Sequence, residues 1–154
     1  MNNLPEELQE RIDIITHKIK FMEQRPMVAC IVALDPIRLA TDDLAQQITK
    51  AGGTPIVGDA EMLVQLNPDV IILKLEGHAI EQAMASYDTV AQLPGFLNLK
   101  AVKSNRFYII DGNRIFNSDE ETYVDAVELL AEIIYPKQFI FGHEGEGWIK
   151  FNLQ

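Results

Sequence analysis

LPGFLNLKAVKSNRFYIIDGNRIFN, residues 93–117, decides how the rest of the chain is read. Pro94-Gly95 makes a turn, and Phe96, Leu97 and Leu99 set an apolar patch just after it. Residues 106–110, RFYII, are aromatic and β-branched, the composition of a strand. Asp111-Gly112 punctuates that strand, Ile115-Phe116 is apolar again, and Asn117-Ser118-Asp119 has the form of a helix cap. The segment thus carries the chain from a helical layer, through a sheet, to a loop at a strand end. Loops of that kind are where α/β domains bind ligands.

Upstream of this stretch, apolar runs and turn signals alternate. Residues 4–23 read as a long amphipathic helix, with Asn3 as a cap, Pro5 in its first turn and Glu6 and Glu7 complementing its N-terminal dipole. Leu8, Ile12, Ile15, Ile19 and Met22 form one stripe, which Ile14 and Phe21 widen. Such a stripe suits a helix packed on its own lobe, and equally one with a second surface for a partner. Arg25-Pro26 ends it.

Residues 27–34 are a continuous apolar run, as in a central strand covered on both faces. Thr41 is placed to cap a helix that Gly52-Gly53 stop. Residues 54–57 form a short strand that Pro55 assigns to an edge or a strand start. Asp59 caps a helix at 60–66, residues 70–75 form another buried strand, and 79–92 read as one helix. Residues 119–135 give a last helix with a wide apolar face. In the tail, 138–141 suits a strand or an apolar clamp, 142–147 a flexible Gly-rich loop, and 148–151 a further apolar run. The order α-β-α-β-α-β-α-β-α predicts one three-layer, Rossmann-like α/β lobe with a mainly parallel sheet and a long N-terminal helix. Residues 27–34, 70–75 and 106–110 should share that sheet.

The chain has 154 residues, 47% hydrophobic and 23% charged, enough for one domain with a proper core. A net charge of −10 argues against nucleic-acid backbones and anionic membrane surfaces as partners, and also serves plain solubility. Cys30 is the only cysteine, lies in the run MVACIVAL, and reads as a buried core thiol. No apolar run reaches about 18 residues, so no membrane-inserted helix is expected. The first residues show no basic region, apolar core or cleavage site of a leader. The compartment stays open: cytoplasmic if Met1 is native, periplasmic or extracellular if a leader was removed.

The order PGFLNLKAVKSNRFYIIDGNRIFN, followed by VDAVELLAEIIYP, resembles the C-terminal part of substrate-binding proteins for ABC importers of vitamin B12 and iron-siderophore complexes. Asp35-Pro36 after the first strand, Ala51-Gly52-Gly53 and the run NPDVIIL match the same pattern, so the resemblance covers roughly residues 8–136. It implies a linking helix at 4–25, a second lobe at 27–136 and a tail at 137–154 that departs from the family. It also implies a corrinoid or iron chelate as bound molecule, with an ABC permease and an N-terminal lobe as partners.

The candidate ligand contacts fall in three loops. Asp35, Pro36, Ile37 and Arg38 follow the first strand, Gly77 and His78 follow the strand at 70–75, and Arg114, Phe116 and Asn117 follow the strand at 106–110. Arg38 and Arg114 suit bidentate capture of a carboxylate or phosphate, although surface arginines are common. His78 is placed to approach a ligand. Asp42 and Asp43 are the family's type of acid for docking a permease, and equally suit the dipole of a helix start. The family's Gly-Pro-Arg-rich sequence near 116–121 is replaced here by FNSDEE.

No phosphate loop, nucleophile elbow or Cys-x-x-Cys is present, and His143-Glu144-x-Glu146 lacks the spacing of a metal site. The leading reading is a non-enzymatic half-receptor. Its rivals are an interaction module that kept the lobe and lost the ligand, and an enzyme on a chelatase-like lobe. An exposed stripe on the first helix further predicts a homodimer, unless residues 139–151 fold back over the same surface.

Overall fold

Described from Leu4 to Asn152 in a computed structural model, the chain runs α1 (Glu6–Ile19), β1 (Met27–Ala33), β2 (Arg38–Leu39), α2 (Asp42–Lys50), β3 (Thr54–Ile56), α3 (Ala60–Leu66) and β4 (Val70–Leu73). It continues through α4 (Ile80–Ala85), α5 (Tyr87–Ala91), a 3₁₀ turn at Phe96–Asn98, α6 (Lys100–Lys103), β5 (Phe107–Ile110), α7 (Glu120–Ile134) and β6 (Trp148–Lys150). The cap expected at Asn3 lies outside the described residues. Pro5 holds the N-cap position of α1 instead of a place in its first turn.

The three apolar runs expected to share a sheet are neighbours in it. β1 pairs in parallel with β4, and β4 with β5. β3 pairs in parallel with β1 on the far side, so Pro55 does lie in an edge strand. Two antiparallel additions complete the sheet: β2 folds back on the end of β1, and β6 closes the edge beside β5.

Both faces are covered, and the pleat assigns the core. Val28, Cys30, Val70, Ile72, Tyr108 and Ile110 face α1, α2 and α7. Ala29, Ile31, Ile71, Leu73, Phe107 and Ile109 face the layer built from α3 to α6. This period-2 partition of continuous apolar strands is the three-layer arrangement.

The helical layers depart from expectation in three places. α1 is shorter at its C-terminal end, because Phe21 and Met22 donate to carbonyls three residues back and turn the chain out of the helix. The helix expected at 79–92 breaks at Ser86, which donates to Ala83 and accepts from Thr89 in tight three-residue turns. Thr41 occupies the N-cap of α2 without capping it, since its hydroxyl points to Asp42 Oδ2 at 3.4 Å. Asp59 and Asp119 cap as expected, Asp59 accepting from the Glu61 and Met62 amides and Asp119 from that of Thr122.

The stripe on α1 is not open. Ile12, Ile15 and Ile19 are buried in the same cluster as α7, and Leu8 packs against it. Eleven of the 15 residues of α7 are buried, so that helix needs cover on more sides than one sheet face supplies, and α1 provides it. A homodimer through this stripe would have to displace α7. Ile14 and Phe21 do not widen the buried face and are exposed.

The tail is likewise anchored. Phe139 is buried and stacks on Phe141 at 5.8 Å, the apolar-clamp alternative. The loop expected to be flexible is pinned instead. Glu132, buried on α7, accepts from the backbone amides of Phe141, Gly142 and His143 and from Trp148 Nε1. One turn earlier, Glu128 accepts two hydrogen bonds from Arg11, whose guanidinium also reaches Asp125. Those carboxylates raise the pKa of Arg11.

Burial pushes the Glu128 carboxyl upward, but the nearby His143 ring and the Arg11 guanidinium outweigh it and hold its pKa below the ordinary 4.5. A depressed carboxylate pKa stabilises the fold fully above pH 4.5, and that contribution is lost as pH falls through the folded value. Glu128→Gln is expected to cost about 1–2 kcal/mol at pH 7 and distinctly less at pH 3, by urea denaturation at both pH values. An equal loss at the two pH values would contradict this pairing.

Cys30 is fully buried, and burial pushes its thiol up to about 12, against the opposing charge of Lys74. At pH 8 a disulfide reagent should label the native chain only as fast as it unfolds, and the denatured chain at once. Labelling within seconds under native conditions would show that β1 is not in the core.

Candidate functional site

At the carboxyl end of the sheet, the loops after β1, β4 and β5 lie side by side. Two of them are bonded together: Gly112 donates to the His78 carbonyl at 2.8 Å, and Gly77 donates to the Gly112 carbonyl at 3.2 Å. The loops cross so closely that a Cβ on Gly112 would stand 1.7 Å from the Leu75 carbonyl oxygen. Only glycine permits this approach. The Asp-Gly that reads as a strand terminator in the sequence is therefore also the contact that fixes the position of His78.

The loop after β1 contains a cis Asp35-Pro36 peptide bond, and Asp35 has φ 56°. Arg38, expected in that loop, lies in β2, where it pairs with Ala33 and bridges to Asp59. Its side chain is exposed beside Pro36, Ile37 and Thr41 around a depression of about 510 Å³.

A second depression, of about 340 Å³, lies between the ends of β1 and β4. Val32, Leu34, Leu75, Glu76, His78 and Ser86 line it. His78 is exposed there, next to the exposed Gly77. The mix of aliphatic walls with one carboxylate, one imidazole and one hydroxyl is the usual make-up of a small-molecule site. Ser86 enters it because the helix breaks at that residue.

The third loop turns elsewhere. Phe116 is 8% exposed and belongs to the core, its carbonyl held by Gln47 Nε2 at 2.9 Å. Lys74 Nζ lies 4.6 Å from the Phe116 ring centroid, a cation–π contact. Asn117 donates to Asp43 Oδ2 at 3.0 Å and so ties this loop to the start of α2, where Asp42 and Asp43 are exposed. Arg114 lies over the tail at Gly147 and lines a separate 200 Å³ groove against α7. The loops after β1 and β4 thus share the mouth of the site, whereas Arg114 lies apart from it.

Two residues not singled out in the sequence matter here. Lys74, just past the end of β4, is a charge at the close of an apolar run; it lies over the Phe116 ring and outside the lining of the groove. Ser86 carries no signal in the sequence, since its place depends on the unexpected helix break. Among the described residues, no group of His, Cys, Asp and Glu has the arrangement of a metal site.

No family model matches the chain. Among solved structures, it superposes on an ABC transporter substrate-binding protein from Listeria monocytogenes with a TM-score of 0.72 and 19% identity, covering 84% of this chain and 55% of that one. The S. aureus IsdE protein complexed with heme gives 0.69 and 20%, over 84% and 55%. The TroA-like periplasmic binding protein FepB from Veillonella parvula gives 0.66 and 17%, over 86% and 46%. The fold is that of a lobe of such TroA-like proteins.

The chain spans about half the length of these structures. Residues similar to leucine–tRNA ligase from Methanococcoides burtonii, 30% identical over 91 residues, make up 57% of this chain but 10% of that protein. So short a share of the ligase carries none of its activity over.

The loop crossing is open to direct test. Gly112→Ala is expected to cost about 3 kcal/mol or more, because the clash is with backbone that cannot rotate away. Gly77→Ala, with φ +78° but open space around the new Cβ, should cost only about 1 kcal/mol. Urea denaturation of the two variants should preserve that order.

Proposed function

We propose that the chain is a non-enzymatic binding lobe, equivalent to one half of a substrate-binding protein of an ABC importer. The observation that carries this reading is the groove between the ends of β1 and β4, with His78 exposed at its rim. It lies at the carboxyl end of the sheet, where open α/β sheets take ligands.

The groove is open to solvent and holds about 340 Å³, so it covers one face of a larger ligand. A flat chelate with an apolar body and polar groups at its rim suits aliphatic walls with an imidazole and a carboxylate at the lip. The macrocycle of a haem or a corrinoid has that character, while a ferric siderophore, a rounder octahedral chelate, would meet the lip through its polar groups. High affinity then requires a second surface across the ligand, supplied by an N-terminal lobe or another chain.

Asp42 and Asp43 give the lobe an exposed acidic corner at the same end, suited to basic residues of a permease. Asp43 is held in place by Asn117, which links that corner to the loop after β5.

NMR perturbation with hemin, cobalamin and a ferric hydroxamate chelate tests the proposal. Weak, saturable shifts at residues 35–38 and 76–78 are expected with at least one of the three, reduced by His78→Ala. If all three leave both loops silent, the ligand role fails and an interaction module on the same lobe becomes the better account.

A further inference from the structure

The opposite end of the sheet, where the strands begin, holds a larger cavity of about 660 Å³. Arg25, Lys100, Lys103 and Arg106 line it, with Asp69 as its one carboxylate. Four of the chain's 13 Lys and Arg thus converge on one cavity of a protein whose net charge is −10. We infer that this cavity is a second binding site, specific for a small multivalent oxyanion such as a diphosphate or a polycarboxylate.

The fold builds the cavity from segments that enter the sheet together. Arg25 precedes β1, Asp69 precedes β4 and Arg106 precedes β5, while Lys100 and Lys103 lie on α6. Asp69 is committed already: its Oδ2 accepts from the Met27 amide at 2.8 Å, and Oδ1 lies 3.4 Å from Lys100 Nζ. It therefore fixes Lys100 and offsets one positive charge, leaving the other three in excess.

Arg106 is oriented from behind. Its Nη2 donates to the carbonyls of Ile133 and Ile134, and its Nε to Tyr108 Oη. Nη1 has no protein partner among the described residues. Arg25 and Lys103 are exposed at the rim and form no ion pair with any described residue.

Charge and size together select the ligand. A volume of about 660 Å³ falls in the range of small-molecule sites. A fixed guanidinium with mobile cations at the rim matches the bidentate and point-charge recognition of oxyanions. The net negative charge repels a long polyanion such as nucleic acid, while a small anion is drawn into this positive concavity. This site is independent of the groove at His78, at the other end of the strands.

Calorimetry and NMR with pyrophosphate, citrate and a single-stranded oligonucleotide test the inference on the native chain and on Arg25→Glu plus Lys103→Glu. Saturable pyrophosphate or citrate binding should perturb residues 24–26, 69 and 100–106, weaken with added salt, and fall at least about tenfold in the double variant. Tighter pyrophosphate assigns a phosphate ligand, and tighter citrate a carboxylate. Absence of saturable binding at low salt, binding unchanged by the double variant, or an oligonucleotide that binds more tightly than either small anion would each overturn it. The substituted side chains are exposed and form no ion pair among the described residues, so the variant should retain its fold, checked by its denaturation midpoint.

Discussion

Two carboxylates buried one turn apart on α7 dictate what packs around that helix. A buried carboxylate without partners costs several kcal/mol. Glu128 is answered by Arg11 on α1, and Glu132 by three successive backbone amides and an indole from the tail. The first helix and the last strand are therefore fastened to one element, although more than a hundred residues separate them. The apolar positions of α7 do the remaining work by joining that assembly to the sheet. Position 128 belongs to a helix whose pattern reads as apolar cover, yet its partner sits at position 11.

The strands were legible because their signal is local. Continuous β-branched runs bounded by Pro, Asn-Pro-Asp and Asp-Gly mark buried parallel strands, and β1, β4 and β5 lie where those runs lie. The caps at Asp59 and Asp119 were legible for the same reason. What escaped depends on distant partners. The amphipathic stripe of α1 is the same whether α7 or another chain covers it. The Gly-rich segment at 142–147 reads as mobile until Glu132 is placed beneath it. The break at Ser86 has no glycine or proline to announce it.

The site was legible as a set of loops rather than as a set of side chains. Topology puts the ends of β1 and β4 side by side, which is why residues 35–38 and 76–78 lie near each other. Side-chain direction is a further step. Phe116 turns into the core and Arg114 toward the tail, because the crossing at Gly112 sets the path of everything after it. The basic cavity at the other end was harder still. Its four cations come from three segments, each of which reads alone as an ordinary surface charge.

The sheet ends on each side in strands poorly suited to recruiting another, and at the β1 side the two-residue β2 shares the edge with β3. β3 has three residues, one of them Pro55, which has no amide hydrogen to offer. β6 also has three, closes on the charged Lys150, and follows a loop pinned to α7. Neighbouring molecules meeting edge to edge find too little unpaired backbone to extend the sheet from one chain to the next. At high concentration such a protein should resist fibril growth from its native state, and conditions that release the tail from Glu132 would uncover β5 as a template for it.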